Sequence, residues 1–159
     1  MDRRHLSLLV DTNVWLDYLL GRQGAPSATA LLEKALRRDD ALAITPTIAK
    51  DVFFLVGAAI KGSLRADGLA VTDQMAAAAN EVAWSCLRTV QSHSIMVGMG
   101  FGEHLEAMAL RSRHADYEDD LLLAIAQTDA IDYLVTNDKR LLGNAVAPTL
   151  TPQEYVGLK

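Results

Sequence analysis

The sequence predicts an α/β fold: a central, mostly parallel sheet of about four to five short strands, flanked by helices on both faces. Three observations point there. Short apolar runs at residues 6–10, 41–44, 94–97 and 131–135 alternate with longer segments of helical periodicity. Strands and helices that alternate in this way build a mostly parallel sheet covered on both sides. Two of the apolar runs end in small polar residues next to an aspartate, which puts acids at the carboxyl edge of the sheet, where α/β folds bind ligands.

Taken in order, the first strand is 6–10. The helix after it covers 13–20 and stops at Gly21. A loop over 21–26 leads to Ser27, which caps a helix over 28–38, and the basic end of that helix suits a helix C-terminus. The second strand is 41–44. Thr45-Pro46 opens a third helix, with proline at the first helical position, and Gly62 is its expected stop. A polar connection over 63–68 leads into a long Ala-rich helix over 71–91 and a third strand over 94–97. The glycines at 98, 100 and 102 form a flexible loop before a helix over 103–113, and 114–116 is a turn. A helix over 118–129, a strand over 131–135, a short helical turn, a small strand near 145–147 and a helix from Pro152 complete the chain. No repeat, low-complexity tract or linker interrupts it, so residues 1–159 are expected to form a single domain.

Composition narrows the function classes. Half of the residues are hydrophobic and 22% are charged, as in a soluble globular protein. No apolar stretch reaches the roughly 20 residues of a membrane helix, and the N-terminus does not read as a signal peptide. A cytoplasmic location is expected. The single Cys86 excludes an internal disulfide and a cysteine-rich zinc site, and it is expected to be buried. The net charge of −5 argues against a broad basic nucleic-acid face. Arg3-Arg4, Arg37-Arg38 and Arg111/Arg113 are local basic pairs that read as phosphate contacts or, more simply, as solvated surface.

Four carboxylates stand out. Asp11 follows the first strand in Leu8-Leu9-Val10-Asp11-Thr12-Asn13, and it reads as a site acid or as a helix cap. Asp138 repeats the pattern after Val135-Thr136-Asn137, with a turn residue as the alternative. In a parallel sheet both acids reach the same edge. Asp51 lies inside the third helix among Ile48, Phe54 and Leu55, where a charge is costly unless paired or bound to metal. In Asp116-Tyr117-Glu118-Asp119-Asp120, acids suit a helix start in any case. At about 100° per residue, Asp119 shares a face with Leu122, Leu123 and Ala126 and so points inward, while Asp116 and Asp120 lie to one side. Asp116 is a cap or an additional ligand. Asp17 is expected on the exposed side of its helix, and Glu33, Asp73, Glu81, Glu103 and Glu106 read as surface charges. Trp15, Phe53, Phe54 and Trp84 are expected in the core, with a dimer or partner surface as the alternative.

Crowded carboxylates repel one another, and some then have raised pKa values. A hard divalent ion such as Mg²⁺ or Mn²⁺ relieves the repulsion, lowers the pKa of a bound water and polarises a phosphoryl oxygen. A phosphodiester meets repulsion in such a pocket unless the ion is there.

With those residues in place, the chain resembles the PIN-domain ribonucleases. Val10-Asp11-Thr12-Asn13-Val14 resembles the opening motif of that family, and Thr47-Ile48-Ala49-Lys50-Asp51-Val52-Phe53-Phe54 its second acidic segment. Asp116-Tyr117-Glu118-Asp119 and Val135-Thr136-Asn137-Asp138 resemble the third and fourth, and Thr151-Pro152-Gln153-Glu154-Tyr155 is similar to the closing segment. The resemblance implies an endoribonuclease that uses Mg²⁺ or Mn²⁺, with Asp11, Asp51, Asp119 and Asp138 as ligands and Asp116 as a further one. Thr12, Asn13, Thr136 and Asn137 would support the pocket. It implies attack on the phosphodiester by an activated water, leaving a 5′-phosphate and a 3′-hydroxyl. Many bacterial members are VapC-like toxins, dimeric and silenced by a small antitoxin, so an RNA substrate, an antitoxin and a second copy are the expected partners, and a membrane is not. One departure is Asp51, where much of the family has glutamate.

Other readings fit less well. The 98–102 glycines fail the dinucleotide fingerprint, the histidines have no metal spacing, and no Gly-x-Ser-x-Gly elbow occurs. A phosphoacceptor receiver needs a lysine beyond a late strand, and Lys139 next to Asp138 does not supply it. A PIN-like module that binds RNA or protein without cutting is the main competitor, and the presence of all four acids counts against it.

Overall fold

The computed structural model of the chain describes residues 4–111, 116–128, 130–144 and 146–159. Arg3, Arg113, most of the turn expected at 114–116, the helix end at Asp129 and Ala145 lie outside the described residues.

Among the described residues, five strands form one sheet in the order β3-β2-β1-β4-β5. They are β1 (Ser7–Val10), β2 (Ala41–Ile44), β3 (Ile95–Met96), β4 (Tyr133–Val135) and β5 (Thr149–Leu150). Every pairing is parallel. β1 is central, with Leu9 opposite Ala43 on one side and Val10 opposite Val135 on the other. Successive side chains of a strand point to opposite faces. Leu8, Leu9 and Val10 are all fully buried, so both faces of the sheet are covered.

The covering elements are α1 (Thr12–Leu20), α2 (Ala25–Arg38), α3 (Pro46–Ala66), α4 (Asp73–His93), α5 (Phe101–Leu110), α6 (Tyr117–Ala126), α7 (Lys139–Leu142) and α8 (Pro152–Gly157). Among the described residues no helix is long and apolar enough to cross a membrane. The chain steps from β1 outward to β2 and β3, then crosses back to β4 on the other side of β1. That reversal opens a crevice at the carboxyl ends of β1 and β4, the usual ligand position in such sheets.

Several boundaries differ from the sequence reading, and three of the shifts have a plain physical cause. α2 begins at Ala25 rather than 28, with Gly24 as its N-cap. Pro26 lies in the first turn, where its missing N–H costs nothing, so Pro26 and Ser27 belong to the helix. α3 runs through Gly62 to Ala66 and is followed by Gly68 at φ +78°. A glycine inside a helix costs only about 1 kcal/mol, and Gly62 is exposed with open space around it. The last strand is Thr149–Leu150 rather than 145–147, because the side-chain oxygen of Asn144 accepts the N–H groups of Val146 and Ala147 and turns the chain there.

Burial also corrects the aromatic assignments. Trp15 is fully buried, but Phe54 is 64% and Trp84 46% exposed. α3 and α4 meet through small residues, with a Cβ at Gly57 falling 4.0 Å from that of Ala83, and the large rings are left on the outside. Cys86 is half-buried rather than buried, and desolvation pushes its thiol up.

The C-terminal helix is tied down by polar contacts. Lys34, 8% exposed, donates to the carbonyls of Tyr155, Val156 and Leu158 at 2.8, 3.0 and 2.6 Å. The Tyr155 hydroxyl donates to Asp40 at 2.7 Å. Asp40 also accepts the Leu6 N–H and pairs with Arg38 at 3.0 Å. Burial opposes its charge, yet these partners together hold its carboxyl below the ordinary value.

Candidate functional site

Asp11 leaves β1 at the edge of the crevice and caps α1. Its carboxylate accepts from the Thr12 N–H at 2.6 Å, not from the second or third helical N–H that an ordinary cap would take. Instead it turns toward β4, where it accepts from Asn13 Nδ2 at 2.6 Å and Thr136 Oγ1 at 2.7 Å. It is 7% exposed. Burial raises its pKa, the bonds from Thr136, Thr12 and Asn13 oppose the rise, and the charge of Asp138 adds to it.

Thr136 is fully buried and serves as the hub. Its hydroxyl oxygen also accepts from Asn13 Nδ2 and from the Asp138 N–H, each at 3.0 Å. Asn13 Oδ1 accepts the Asn137 N–H at 3.0 Å. The strand-end segments of β1 and β4 are thereby clamped together. Asp138 caps α7 by accepting the Arg140 N–H at 2.7 Å.

The other two acids come from helices. Asp51 is half-buried on the α3 face that also carries Ile48 and Leu55, and it lies 3.1 Å from Lys50 Nζ. Asp119, on the first turn of α6, has a side chain 20% exposed. Its pKa is raised to about 6, by burial first and then by the charge of Asp116, with smaller rises from Asp138 and Asp11, while Arg140 opposes them. Asp11, Asp51, Asp119 and Asp138 line one cleft of about 240 Å³, together with Thr12 and Asn13. Two larger surface hollows, of about 370 and 390 Å³, have no comparable gathering of acids.

Among the described residues no three acidic, histidine or cysteine side chains already stand in metal-holding geometry. Two cations sit among them. Arg140 Nη2 is 3.8 Å from Asp119 and 3.5 Å from Asp138, and Lys50 Nζ is 3.5 Å from Glu118 as well as close to Asp51.

Asp116 takes the cap role that the sequence left open. It is exposed and accepts from the N–H groups of Glu118 and Asp119 at 3.0 and 3.4 Å. Asp120 is only 2% exposed, a burial that periodicity did not anticipate. Asp17 is half-buried, not on the exposed side, and accepts from Asn137 Nδ2 at 2.9 Å. Glu118 and Thr47 also line the cleft and went unassigned from sequence. Glu118 sat inside the acidic run without a periodic signal of its own, and Thr47 lies one turn before Asp51 on α3. In the 98–102 loop the carboxylate of Glu103 accepts the Gly100 N–H at 2.8 Å, so that donor is already engaged.

Comparison with solved structures finds the same fold in toxin–antitoxin assemblies. The crystal structure of VapBC2 from Rickettsia felis bound to a promoter DNA fragment contains a chain that superposes with a TM-score of 0.66 at 14% identity, covering 92% of this chain and 98% of that one. A toxin–antitoxin complex from Klebsiella pneumoniae gives 0.58 at 18% identity, covering 91% and 97%. No curated protein matches the sequence significantly. A family model for the PIN domain matches residues 7–140, a span from β1 to the start of α7 that takes in all four acids. The chain belongs to the PIN-domain family.

Proposed function

We propose that this protein is an endoribonuclease dependent on Mg²⁺ or Mn²⁺, acting as the toxin of a toxin–antitoxin pair. The observation that carries the reading is the meeting of Asp11, Asp51, Asp119 and Asp138, from four separate segments, in one cleft at the carboxyl edge of a PIN-domain sheet.

The donor set fits such an ion. All four groups are hard oxygen donors, suited to Mg²⁺ and Mn²⁺. Asp11 and Asp119 both have raised pKa values from burial and from neighbouring acids, as expected of carboxylates short of positive charge. Asp11, Asp51, Asp119 and Asp138 are the proposed ligands, with Asp116, whose charge acts on Asp119, as a further candidate. When bound, the ion supplies a water of lowered pKa and neutralises charge on the phosphoryl oxygens. Thr136 and Asn13 hold the Asp11 carboxylate in one orientation, Thr12 presents its N–H to it, and Asn137 ties the β4 end to Asp17. Hydrogen bonds to ligating carboxylates set both affinity and geometry.

An antitoxin partner is supported by the assemblies in which the similar folds occur, and by exposed apolar surface next to the cleft. Phe54 and Trp84 both pack edge-on against Phe53, at centroid distances of 5.5 and 4.9 Å, and Leu55 continues this surface into the cleft wall. A second copy is supported by the exposed Phe101, Leu105 and Met108 of α5, which recur at helical spacing. A cytoplasmic location accords with this role.

The test is incubation of a structured-RNA pool with purified, partner-free protein. Cleavage with Mn²⁺, and none with EDTA or in Asp11→Asn and Asp138→Asn, is the expected result. Metal binding without cleavage would favour the competing reading, a silent PIN-like module that binds RNA or protein.

A further inference from the structure

Five acids line the cleft, and two cations outside its lining pair with four of them. Lys50 pairs with Asp51 and Glu118, bridging α3 to α6. Arg140 pairs with Asp119 and Asp138, bridging α7 to α6. Among the described residues these are the basic side chains within ion-pair distance of the cleft acids. Four other described bases are engaged elsewhere: Arg4 with Asp132, Arg37 with Glu33, Arg38 with Asp40 and Lys34 with the α8 carbonyls. The Lys50 and Arg140 side chains are 50% and 73% exposed, so they hold their acids from the solvent side. Exposed pairs of this kind are weak and exchange readily.

A polyanion faces an electrostatic difficulty here. The chain carries a net charge of −5, and the cleft walls are acidic. While Lys50 and Arg140 rest on those walls, their charge is spent on carboxylates. A divalent ion on the acids removes their need for side-chain counter-ions. Two long, solvent-facing cations then stand at two separate places on the rim with nothing to neutralise but the incoming strand. Arginine suits this role through its planar fork of donors, and lysine as a mobile point charge.

Building on the nuclease reading above, we propose that Lys50 and Arg140 are the substrate-phosphate ligands of this cleft, parked on its carboxylates until a divalent ion takes those acids and frees them to bind RNA phosphates. Metal and RNA binding are then coupled, and the coupling is reciprocal: each ligand tightens the other by the same factor.

The experiment measures binding, not turnover. Fluorescence anisotropy follows a short mixed-sequence single-stranded RNA against full-length protein over a series of salt concentrations, with EDTA and with Ca²⁺ as the oxygen-seeking ion. Calorimetry with Mn²⁺ alone runs in parallel. Wild type is expected to bind RNA at least about tenfold more tightly with the ion. Lys50→Ala and Arg140→Ala should each lower the salt slope by about 0.7 with the ion present, the value for one lost phosphate contact on a single strand, and leave it unchanged with EDTA. Both should bind Mn²⁺ at least as tightly as wild type. Lys50→Arg and Arg140→Lys should restore the slope. Arg65→Ala, the same charge change at the far end of α3, should leave it alone. Unchanged slopes in both alanine variants, with wild type binding ion and RNA, would overturn this inference and leave the nuclease reading standing. Wild type that binds no divalent ion would overturn both.

Discussion

At the scale of single residues, the site depends on how Asp11 is held. The Thr136 hydroxyl donates one of the three hydrogen bonds to its carboxylate and is itself fully buried. Thr136→Val keeps the shape and removes the donor. It is expected to weaken Mn²⁺ affinity by about 10–100-fold, the usual penalty for losing a group that orients a metal ligand. Folding stability should fall by about 1–3 kcal/mol, since a buried carboxylate oxygen loses one of its two donors and the Asp138 N–H loses its acceptor. Calorimetric titration with a melting curve checks both, and affinity within twofold of wild type would remove Thr136 from the site. Asp119 carries a pH signature. Its ordinary pKa of 3.8 is raised to about 6 in the folded chain. Between those values the folded state holds a proton that the unfolded state has released, so this group's contribution to stability declines as pH rises through the window. Asp119→Asn removes the dependence. In EDTA the variant should melt above wild type at neutral pH, with the gap closing below about 3.8. Added Mn²⁺ should raise the melting temperature of wild type far more than that of the variant. A variant that melts below wild type in EDTA would contradict the repulsion account.

At the scale of elements, two small features hold the frame. A Cβ at Gly24 would lie 2.0 Å from Asp17 Oδ2 and 2.7 Å from its Cγ. That carboxylate oxygen is the one that bonds Asn137. Gly24→Ala is therefore expected to displace Asp17, loosen the end of β4 and lower activity several-fold, with a stability loss of about 1 kcal/mol in the range of ordinary point changes. Amide exchange at Asn137 and Asp138 should accelerate, and unchanged exchange there would refute the link. Lys34 acts on α8. Three carbonyls share its ammonium, at the end of the helix where a cation is favoured. Lys34→Met should cost about 2–3 kcal/mol, in line with hydrogen bonds to a charged group, and free the C-terminus to early proteolysis. The elements themselves were largely legible in the sequence. The strand cores at 8–10, 42–44 and 134–135, the helix start at Pro46 and the closing helix at Pro152 all follow from apolar runs and caps. The misplaced boundaries depended on neighbours that a local pattern lacks. α3 continued past Gly62 because no steric or conformational demand ends a helix at an exposed glycine, and β5 shifted because the Asn144 side chain claimed two backbone donors.

At the scale of the whole molecule, the meeting of four acids was readable because topology alone brings the ends of β1 and β4 side by side, and helical periodicity turns Asp119 toward them. What one sequence did not disclose was partnership. Asp51 with Lys50, Asp138 and Asp119 with Arg140, and Asp17 with Asn137 are contacts between segments distant in the chain or side-chain choices among near neighbours, and neither leaves a periodic trace. The exposure of Phe54 and Trp84 was hidden for a related reason, since the small residues that let α3 and α4 approach each other crowd large rings out of that contact. The central claim is that the four carboxylates form one divalent-ion site. Its most direct measurement is a crystal structure of the protein with Mn²⁺, using anomalous scattering to locate the ion. The account predicts a peak in the cleft bounded by Asp11, Asp51, Asp119 and Asp138, with Lys50 and Arg140 turned off their acids toward solvent. A cleft without a peak at saturating Mn²⁺, with both cations still paired to the acids, would contradict it.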